Sequence, residues 1–437
     1  MNTRLQKVLF AGTSQLTDAF PVLGRHVLDG MIRPTYGSRA VAAWYARRNR
    51  AEVRRVQGFR RFLVIPDIHI GDAVMSESWL TAIRDFFPDA EIDYVINRTV
   101  APLIEGTPDA TRVLPLFSGG ALPSPDDIAG VRALIRDGRY DLCFCSSPFI
   151  DASEVAPPAQ PFLHLMSHGA AILRNEADPV QINHFSYQGY RFVHDLLATV
   201  ARPVRESGYP GLRIRFADGA IADSRAFAAA SGIATGAPVV MLNPDCASKY
   251  TLLPFDRQAA LLRALTAGAP AETLFLVGAG HTEAGIGERL LTSLPESLRS
   301  RVRIVPASLP LATYAAVIDV ADVFISGDTG PLHLAAARRS ARSGADGFRN
   351  RTAVLSIFGA TPPRMSGYDS TQAGYLAASQ DAPSWCYQAG SPCRNVTCVN
   401  KLFKTCATVR CFEEVNTTGL AAIVIGHLQR MNGATQH

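Results

Sequence analysis

A chain of 437 residues, 47% hydrophobic and 19% charged, holds enough material for two or three domains with real cores and excludes a disordered or fibrous class. No apolar run approaches the ~18 residues needed to cross a bilayer, and the opening "MNTRLQKVLFAGTSQL" has only "VLFAG", too short for a signal-peptide core, so a cytoplasmic location is expected. The formal net charge of +5 is modest.

That charge is unevenly spread. Residues 47–61, "RRNRAEVRRVQGFRR", carry seven arginines against one glutamate, behind an apolar stripe of Val41, Trp44 and Tyr45. Such a basic helix suits a solvated face, a peripheral contact with the anionic inner face of the cytoplasmic membrane, or an oligomer contact. No nucleic-acid motif accompanies it, so a nucleic-acid partner is not expected. The segment belongs to an N-terminal extension, residues 1–58.

From residue 59 onward, apolar runs alternate with helical patterns. "RFLVIP" (61–66) predicts a strand, "DIHIGDA" a turn, and "VMSESWLTAIRDFF" one helix with Met75, Trp79, Ile83 and Phe86 on a single face, stopped by Pro88. "EIDYVIN" (91–97) and "YDLCFCSS" (140–147) are further strands. Continuous hydrophobicity fits strands covered on both faces. The Pro- and Gly-containing stretch 202–216 reads as an interdomain connection.

A second series then runs through "PVVMLNP" (238–244), "TLFLVGAG" (273–280), "VRIVPA" (302–307), "ADVFISG" (321–327) and "TAVLSIFGA" (352–360), with helical segments between them. The expectation is an α/β protein of two Rossmann-like domains with parallel sheets facing across a cleft. These are an N-terminal domain over 59–205 and a C-terminal domain over 206–420, followed by a last helix and tail over 421–437. Ligands of such sheets bind beyond the carboxyl ends of the strands, where the turns lie.

Four of those turns carry polar groups. "SGDTGPLHLAAA" (326–337) reads as strand end, turn and helix start. Thr329 is placed to cap the helix, Pro331 suits its first turn, and Gly330 permits close backbone approach, so the amides of Gly330 to Leu332 are expected to face an anion. Asp328 and His333 flank them. "IHIGDAV" puts Asp72 before the first helix, as a cap or as a general base. "NPDCASKY" offers Ser248 and Lys249, the lysine being a compact charge for a diphosphate. "VGAGHTEAG" supplies a glycine turn beginning at Gly278 and then Glu283, an acid able to accept from ribose hydroxyls; it is not the full dinucleotide fingerprint.

Eight cysteines are present, and five crowd together: Cys386, Cys393, Cys398, Cys406 and Cys411. The four from Cys393 to Cys411, with Cys386 as an alternative ligand, suit a structural tetrahedral thiolate site for Zn or Fe within 386–411. Reduced thiols or disulfides are the other readings.

In order along the chain, "HIGDAVMSESWLTAIRDFFPDAEIDYVI", "NPDCASKYTLLPFDR", "FLVGAGHTE", "ISGDTGPLHLAAA", "VLSIFGATPP" and the Cys-rich "PCRNVTCVNKLFKTCATVRCFEEV" resemble the motifs of glycosyltransferase family 9, the heptosyltransferases of lipopolysaccharide core assembly. The resemblance covers about residues 60–430. It implies a GT-B fold with the donor mainly in the C-terminal domain, and inverting transfer of heptose from an ADP-activated donor to a hydroxyl on a glycan, lipid-linked or protein acceptor. It implies no cofactor for catalysis, Asp72 as base, Lys249 and Thr329 on the diphosphate, Glu283 on the ribose, and Asp328 and His333 on sugar or phosphates. A nucleotide-sugar epimerase or hydrolase, or a non-catalytic binding subunit, is the alternative. Two departures stand out: Asp245 and Leu253 lie where the family's lysine loop has glycine and tryptophan, and "RRSARSGADGFRNR" (338–351) is an insertion.

Overall fold

The computed structural model describes residues 39–119, 123–147, 150, 152–157, 159–164, 184–233, 236–246, 248, 250–343, 350–359, 361, 363–389 and 409–434. Lys249, Cys393, Cys398 and Cys406 lie outside the described residues, as do residues 1–38 and 344–349. The chain divides into two compact units, with the division between Arg213 and Ile214.

The first unit opens with helix α1 (Arg39–Arg54). From residue 47 on, Asn49 and Val53 turn inward and Arg47, Arg48, Arg50 and Arg54 outward. Strands β1 (Arg61–Ile65), β2 (Glu91–Asn97), β3 (Arg112–Phe117), β4 (Leu142–Cys145) and β5 (Phe162–His164) form one sheet in the order β3-β2-β1-β4-β5, every pair parallel. Leu63, Ile65, Val95, Phe117, Cys143 and Cys145 build a core with Val131 and Ile135 of helix α4 (Pro125–Gly138). Each large apolar side chain buried this way contributes roughly 1.5–3 kcal/mol.

Between β1 and β2 the structure corrects the single predicted helix. Helix α2 spans Ile70–Ser76 and α3 spans Ser78–Phe86, with the hydrogen-bond ladder interrupted at Glu77. The Glu77 backbone stays helical (φ −57°, ψ −33°), so the apolar face carries through and Met75, Trp79, Ile83 and Phe86 are all buried. Asp72 therefore sits within the first turn of α2 rather than ahead of a helix. Helix α5 (Phe185–Leu197) packs on α3, close enough that a Cβ on Gly189 would strike the Trp79 indole.

The second unit is a six-stranded sheet of order β13-β12-β10-β7-β8-β9, again parallel throughout: β7 (Val239–Leu242), β8 (Leu274–Gly278), β9 (Val302–Val305), β10 (Val323–Gly327), β12 (Ala353–Phe358) and β13 (Ser384–Gln388). Its helices include α6 (Asp218–Ala230), α7 (Phe255–Gly268), α8 (Ile286–Thr292), α9 (Leu311–Ile318), α10 (Gly330–Ala336) and α11 (Thr417–Ala434). The last helix packs on α7, where Ile425 covers Gly268, so it closes the C-terminal unit.

The end of the stretch read as a connection and the start of the one read as an insertion are strands. β6 (Arg213–Phe216) and β11 (Arg338–Ala341) pair as a separate two-stranded sheet. The insertion thus begins as ordered structure: the Arg339 side chain is fully buried and pairs with Asp319 at 3.3 Å.

Candidate active site

In the second unit the strand order reverses beside β7, with β8 and β9 to one side and β10, β12 and β13 to the other. The crevice beyond the carboxyl ends of β7 and β10 is therefore its topological switch point. Both motif loops leave the sheet there. Buried Asn243, just after β7, shares its two amide protons among the hydroxyls of Ser326 (3.1 Å) and Thr329 (3.3 Å) and the Asp245 carbonyl (3.1 Å), while the Tyr314 hydroxyl donates to its Oδ1 at 3.3 Å. The Ser326 and Thr329 hydroxyls lie 2.9 Å apart. The Asp328 amide donates to the Thr251 carbonyl at 2.9 Å, and a Cβ on Gly327 would collide with that same oxygen. Only glycine lets the two loops approach this closely.

The DTGPLH turn differs from expectation in three respects. Thr329 has the extended backbone of an N-cap (φ −139°, ψ 162°), but its hydroxyl caps nothing and joins the inward network. Pro331 has no N–H, and the Leu332 amide donates to the Thr329 carbonyl at 3.0 Å, leaving Gly330 as the amide of that trio that can face a ligand. His333 is buried rather than open to solvent, with Nδ1 2.7 Å from the Tyr368 hydroxyl and Nε2 4.0 Å from Asp328 Oδ1, so Tyr368 fixes the ring beside Asp328. Asp328, 12% exposed, also accepts from Ser366 Oγ at 2.9 Å, which brings in the loop after β12.

Burial pushes the His333 imidazole down to about 4, against the opposing pull of Asp328. An unfolded histidine binds its proton near pH 6.5, so the unfolded state holds more protons between those values. The stability carried by neutral His333 is then complete above about pH 6.5 and lost as pH falls towards 4, amounting to about 3 kcal/mol. Unfolding midpoints of the wild type and His333→Gln across pH 4–7 are expected to show this slope in the former and a flatter one in the latter.

After β8 the glycine turn has a role that sequence reading missed. The Asp245 carboxylate accepts from the amides of His281 (2.5 Å), Thr282 (2.5 Å) and Glu283 (3.2 Å). Backbone amides turned in one direction make an anion-binding nest, and here the chain fills it with its own carboxylate. The acid that stood out only as a departure from the family loop ties the loop after β7 to the turn after β8. Gly278 and Gly287 seat α8 on the strand end, since a Cβ on Gly287 would lie 2.5 Å from the Gly278 carbonyl oxygen. Glu283 is half-exposed and ion-paired with Arg289. Ser248 shapes its own turn: its amide donates to Cys246 Sγ at 3.4 Å and its hydroxyl accepts from the Tyr250 amide at 3.4 Å.

In the first unit the switch point lies between β1 and β4. The Ser146 amide donates to the Ile65 carbonyl at 2.9 Å, and Ser147 Oγ donates to Asp67 Oδ1 at 3.3 Å. Here Asp67, His69 and Asp72 converge, each offering an atom within 4.8 Å of the others. His69 Nδ1 is 3.4 Å from Asp67 Oδ2 and 4.0 Å from Asp72 Oδ2. Asp67 and His69 were not singled out from the sequence. Their signal was the stretch "DIHIGD" directly after a strand, with two carboxylates and an imidazole in six residues.

Of the cysteine cluster, Cys386 and Cys411 fall among the described residues, and both carry thiols rather than a disulfide. Cys386 lies on β13, with its amide donating to Asp369 Oδ2 at 3.3 Å, and burial pushes its thiol up to about 12. No helix among the described residues is long and apolar enough to cross a membrane.

Residues 209–399 match the model of glycosyltransferase family 9 (heptosyltransferase). No curated protein matches the sequence. Among solved structures, the chain is similar to a glycosyltransferase of family 9 from Veillonella parvula DSM 2008 (14% identity, TM-score 0.52, over 76% of this chain and 87% of that one). It is similar also to E. coli ADP-heptose LPS heptosyltransferase II (13% identity, TM-score 0.52, over 85% of this chain and 99% of that one). At these identities the likeness establishes the α/β fold with parallel sheets found in GT-B glycosyltransferases of family 9. The motif loops collected around β7, β8, β10 and β12 fall within the matched stretch, and the chain thus carries a glycosyltransferase family 9 (heptosyltransferase) segment at residues 209–399.

Proposed function

We propose that the protein is an inverting glycosyltransferase that moves heptose, or a related sugar, from an ADP-activated donor to an acceptor hydroxyl. The observation that carries this reading is the switch point of the second unit. Loops after three adjacent strands, β12, β10 and β7, are stitched there by Asn243, Ser326, Thr329, Asp328 and Ser366 within the segment that matches the family. The donor class follows that of the E. coli ADP-heptose LPS heptosyltransferase II, whose fold this chain shares.

In the proposed reaction, Asp72 takes the acceptor's hydroxyl proton as its oxygen bonds to the anomeric carbon. The bond from that carbon to the diphosphate breaks in the same displacement, and the nucleotide leaves with the electron pair. Lys249 and the Gly330 amide meet the charge that grows on the diphosphate, and Asp328 orients the sugar. A preorganised donor aimed at developing charge is commonly worth on the order of 10²-fold or more in rate. Because Asp245 fills the nest after β8, the diphosphate is assigned to the loops after β7 and β10, with Glu283 left for the ribose. No step uses a metal; Zn or Fe at the cysteine segment would be structural, and elemental analysis of the purified protein reads it directly. The outward arginines of α1 support a peripheral place on the inner membrane face, where a lipid-linked acceptor is presented, and an oligomer contact is the competing use of that helix.

Thermal shifts with ADP-, GDP- and UDP-activated sugars test the donor. A ligand at 100 times its Kd stabilises by about 2.7 kcal/mol, and ADP-heptose is expected to give the largest shift, with transfer only when an acceptor is supplied. Turnover of donor at the same rate without acceptor would establish the epimerase or hydrolase alternative instead.

A further inference from the structure

The switch point of the first unit holds one imidazole between two carboxylates, and the reaction above uses only one of the three groups. We propose that His69 is a positioning residue that keeps Asp72 ionised, and so able to accept a proton, by setting a positive charge between it and Asp67. The inference rests on the assignment of Asp72 as base.

Two carboxylates with oxygens within 4.8 Å of each other repel, and that repulsion works against keeping Asp72 ionised. A protonated Asp72 cannot act as a base. The geometry gives the two acids different tasks. Asp67 is tied down by the Ile68 amide (2.8 Å) and Ser147 Oγ (3.3 Å), and it lies at 3.4 Å from His69 Nδ1, so it anchors the ring. Asp72 is 4.0 Å from the same nitrogen, beyond hydrogen-bond reach but well within range of its charge. The base thus gains the field of the cation without giving it an oxygen. The hydrogen bond to Asp67 holds the imidazolium above its ordinary range, against the effect of burial, and the charges of Asp67 and Asp72 add to it. Among the described residues, those two carboxylates, from the turn after β1 and from α2, are the charged groups that act on the ring, and the loop after β4 contributes the neutral Ser147 hydroxyl beside Asp67. The ring is 47% exposed and the Asp72 side chain 44%, so water screens the interaction and its effect is modest.

The decisive measurement is the pH profile of kcat/KM for wild type, His69→Gln and His69→Lys. In His69→Gln the acidic limb is expected to move up by about one pH unit, with rates at high pH within about twofold of wild type. His69→Lys, which restores the charge, should bring the limb back. A purely structural role would lower the rate at every pH without moving the limb, and that result overturns the inference. A second readout needs no transfer at all: the NMR titration of the His69 ring, assigned by its loss in His69→Gln. Its midpoint should lie above the ordinary ~6.5 in wild type and fall in Asp67→Asn. An ordinary midpoint in wild type overturns the inference alone. A raised midpoint with undiminished transfer by Asp72→Asn overturns the base assignment and, with it, the inference.

Discussion

Asp72→Asn is expected to lower sugar transfer by about 10²- to 10⁴-fold, the usual contribution of a positioned general base, while donor affinity stays within about twofold of wild type. The amide keeps the size of the side chain and its place in the first turn of α2, where an acidic residue complements the free N–H groups. What it loses is the ability to take a proton. The nucleophile is a sugar or side-chain hydroxyl, poor until its proton leaves, so the loss falls on kcat and hardly on donor KM. Equilibrium binding of the donor and single-turnover transfer separate the two effects. Transfer by Asp72→Asn within tenfold of wild type would remove the residue from the reaction, and Asp67 at the same switch point would be the carboxylate to examine next.

How much of this was legible beforehand follows strand by strand from burial. β1, β2, β4, β7, β8, β10 and β12 read as continuous apolar runs because both of their faces are covered. The unread strands of the main sheets, β3, β5 and β13, all lie at sheet edges. An edge strand is half open to water, so its sequence can carry Pro115 in β3 or the mixed "SWCYQ" of β13, where the cysteine drew attention away from the strand. β6 and β11 escaped for a related reason: "RIRF" alternates arginine with apolar residues and "RRSA" opens on two arginines, which reads as a charged linker until the two strands are seen to pair.

The site was legible as a set of loops and not as a set of contacts. Spacing placed Asp328 and Thr329 at the end of β10, where they lie, and Ser248 in the loop after β7, while Asp72 lies inside α2. Which hydroxyl turns inward depends on partners far along the chain. Thr329 looks like a cap locally, yet Asn243, 86 positions earlier, claims its hydroxyl. His333 reads as an exposed group of the first helical turn, and its burial against Tyr368, 35 positions later, is visible only in the fold. Asp245 appeared as a mere substitution, and its purpose emerged only with three amides 36 to 38 residues away. Long-range polar pairing of this kind leaves no periodic trace in a sequence.

One such pairing governs the helix that carries Asp72. Glu77, 1% exposed at the interruption between α2 and α3, accepts two hydrogen bonds from Arg213, to Oε2 at 2.9 Å and Oε1 at 2.7 Å. Thr107 donates to Oε1 at 2.5 Å, and Arg213 also reaches Asp109 Oδ2 at 2.7 Å and Thr81 Oγ1 at 2.8 Å. Arg213→Ala leaves a buried carboxylate with one hydroxyl in place of a bidentate cation, a loss expected to cost about 3–5 kcal/mol. For a unit of this size that corresponds to a fall of about 6–20 °C in its thermal transition. Arg213→Lys keeps the charge but not the fork, so it should fall between the two. Replacing both partners, Glu77→Leu with Arg213→Met, removes the buried Glu77 charge, leaves Asp109 with the Thr81 hydroxyl at 2.6 Å, and should recover part of the loss. A single substitution that shifts stability by less than about 1 kcal/mol would mean that water reaches Glu77 readily. The ordering of the four proteins, rather than any one midpoint, separates the ion pair from ordinary packing: packing alone would make the double variant the worst, and the ion pair makes Arg213→Ala the worst.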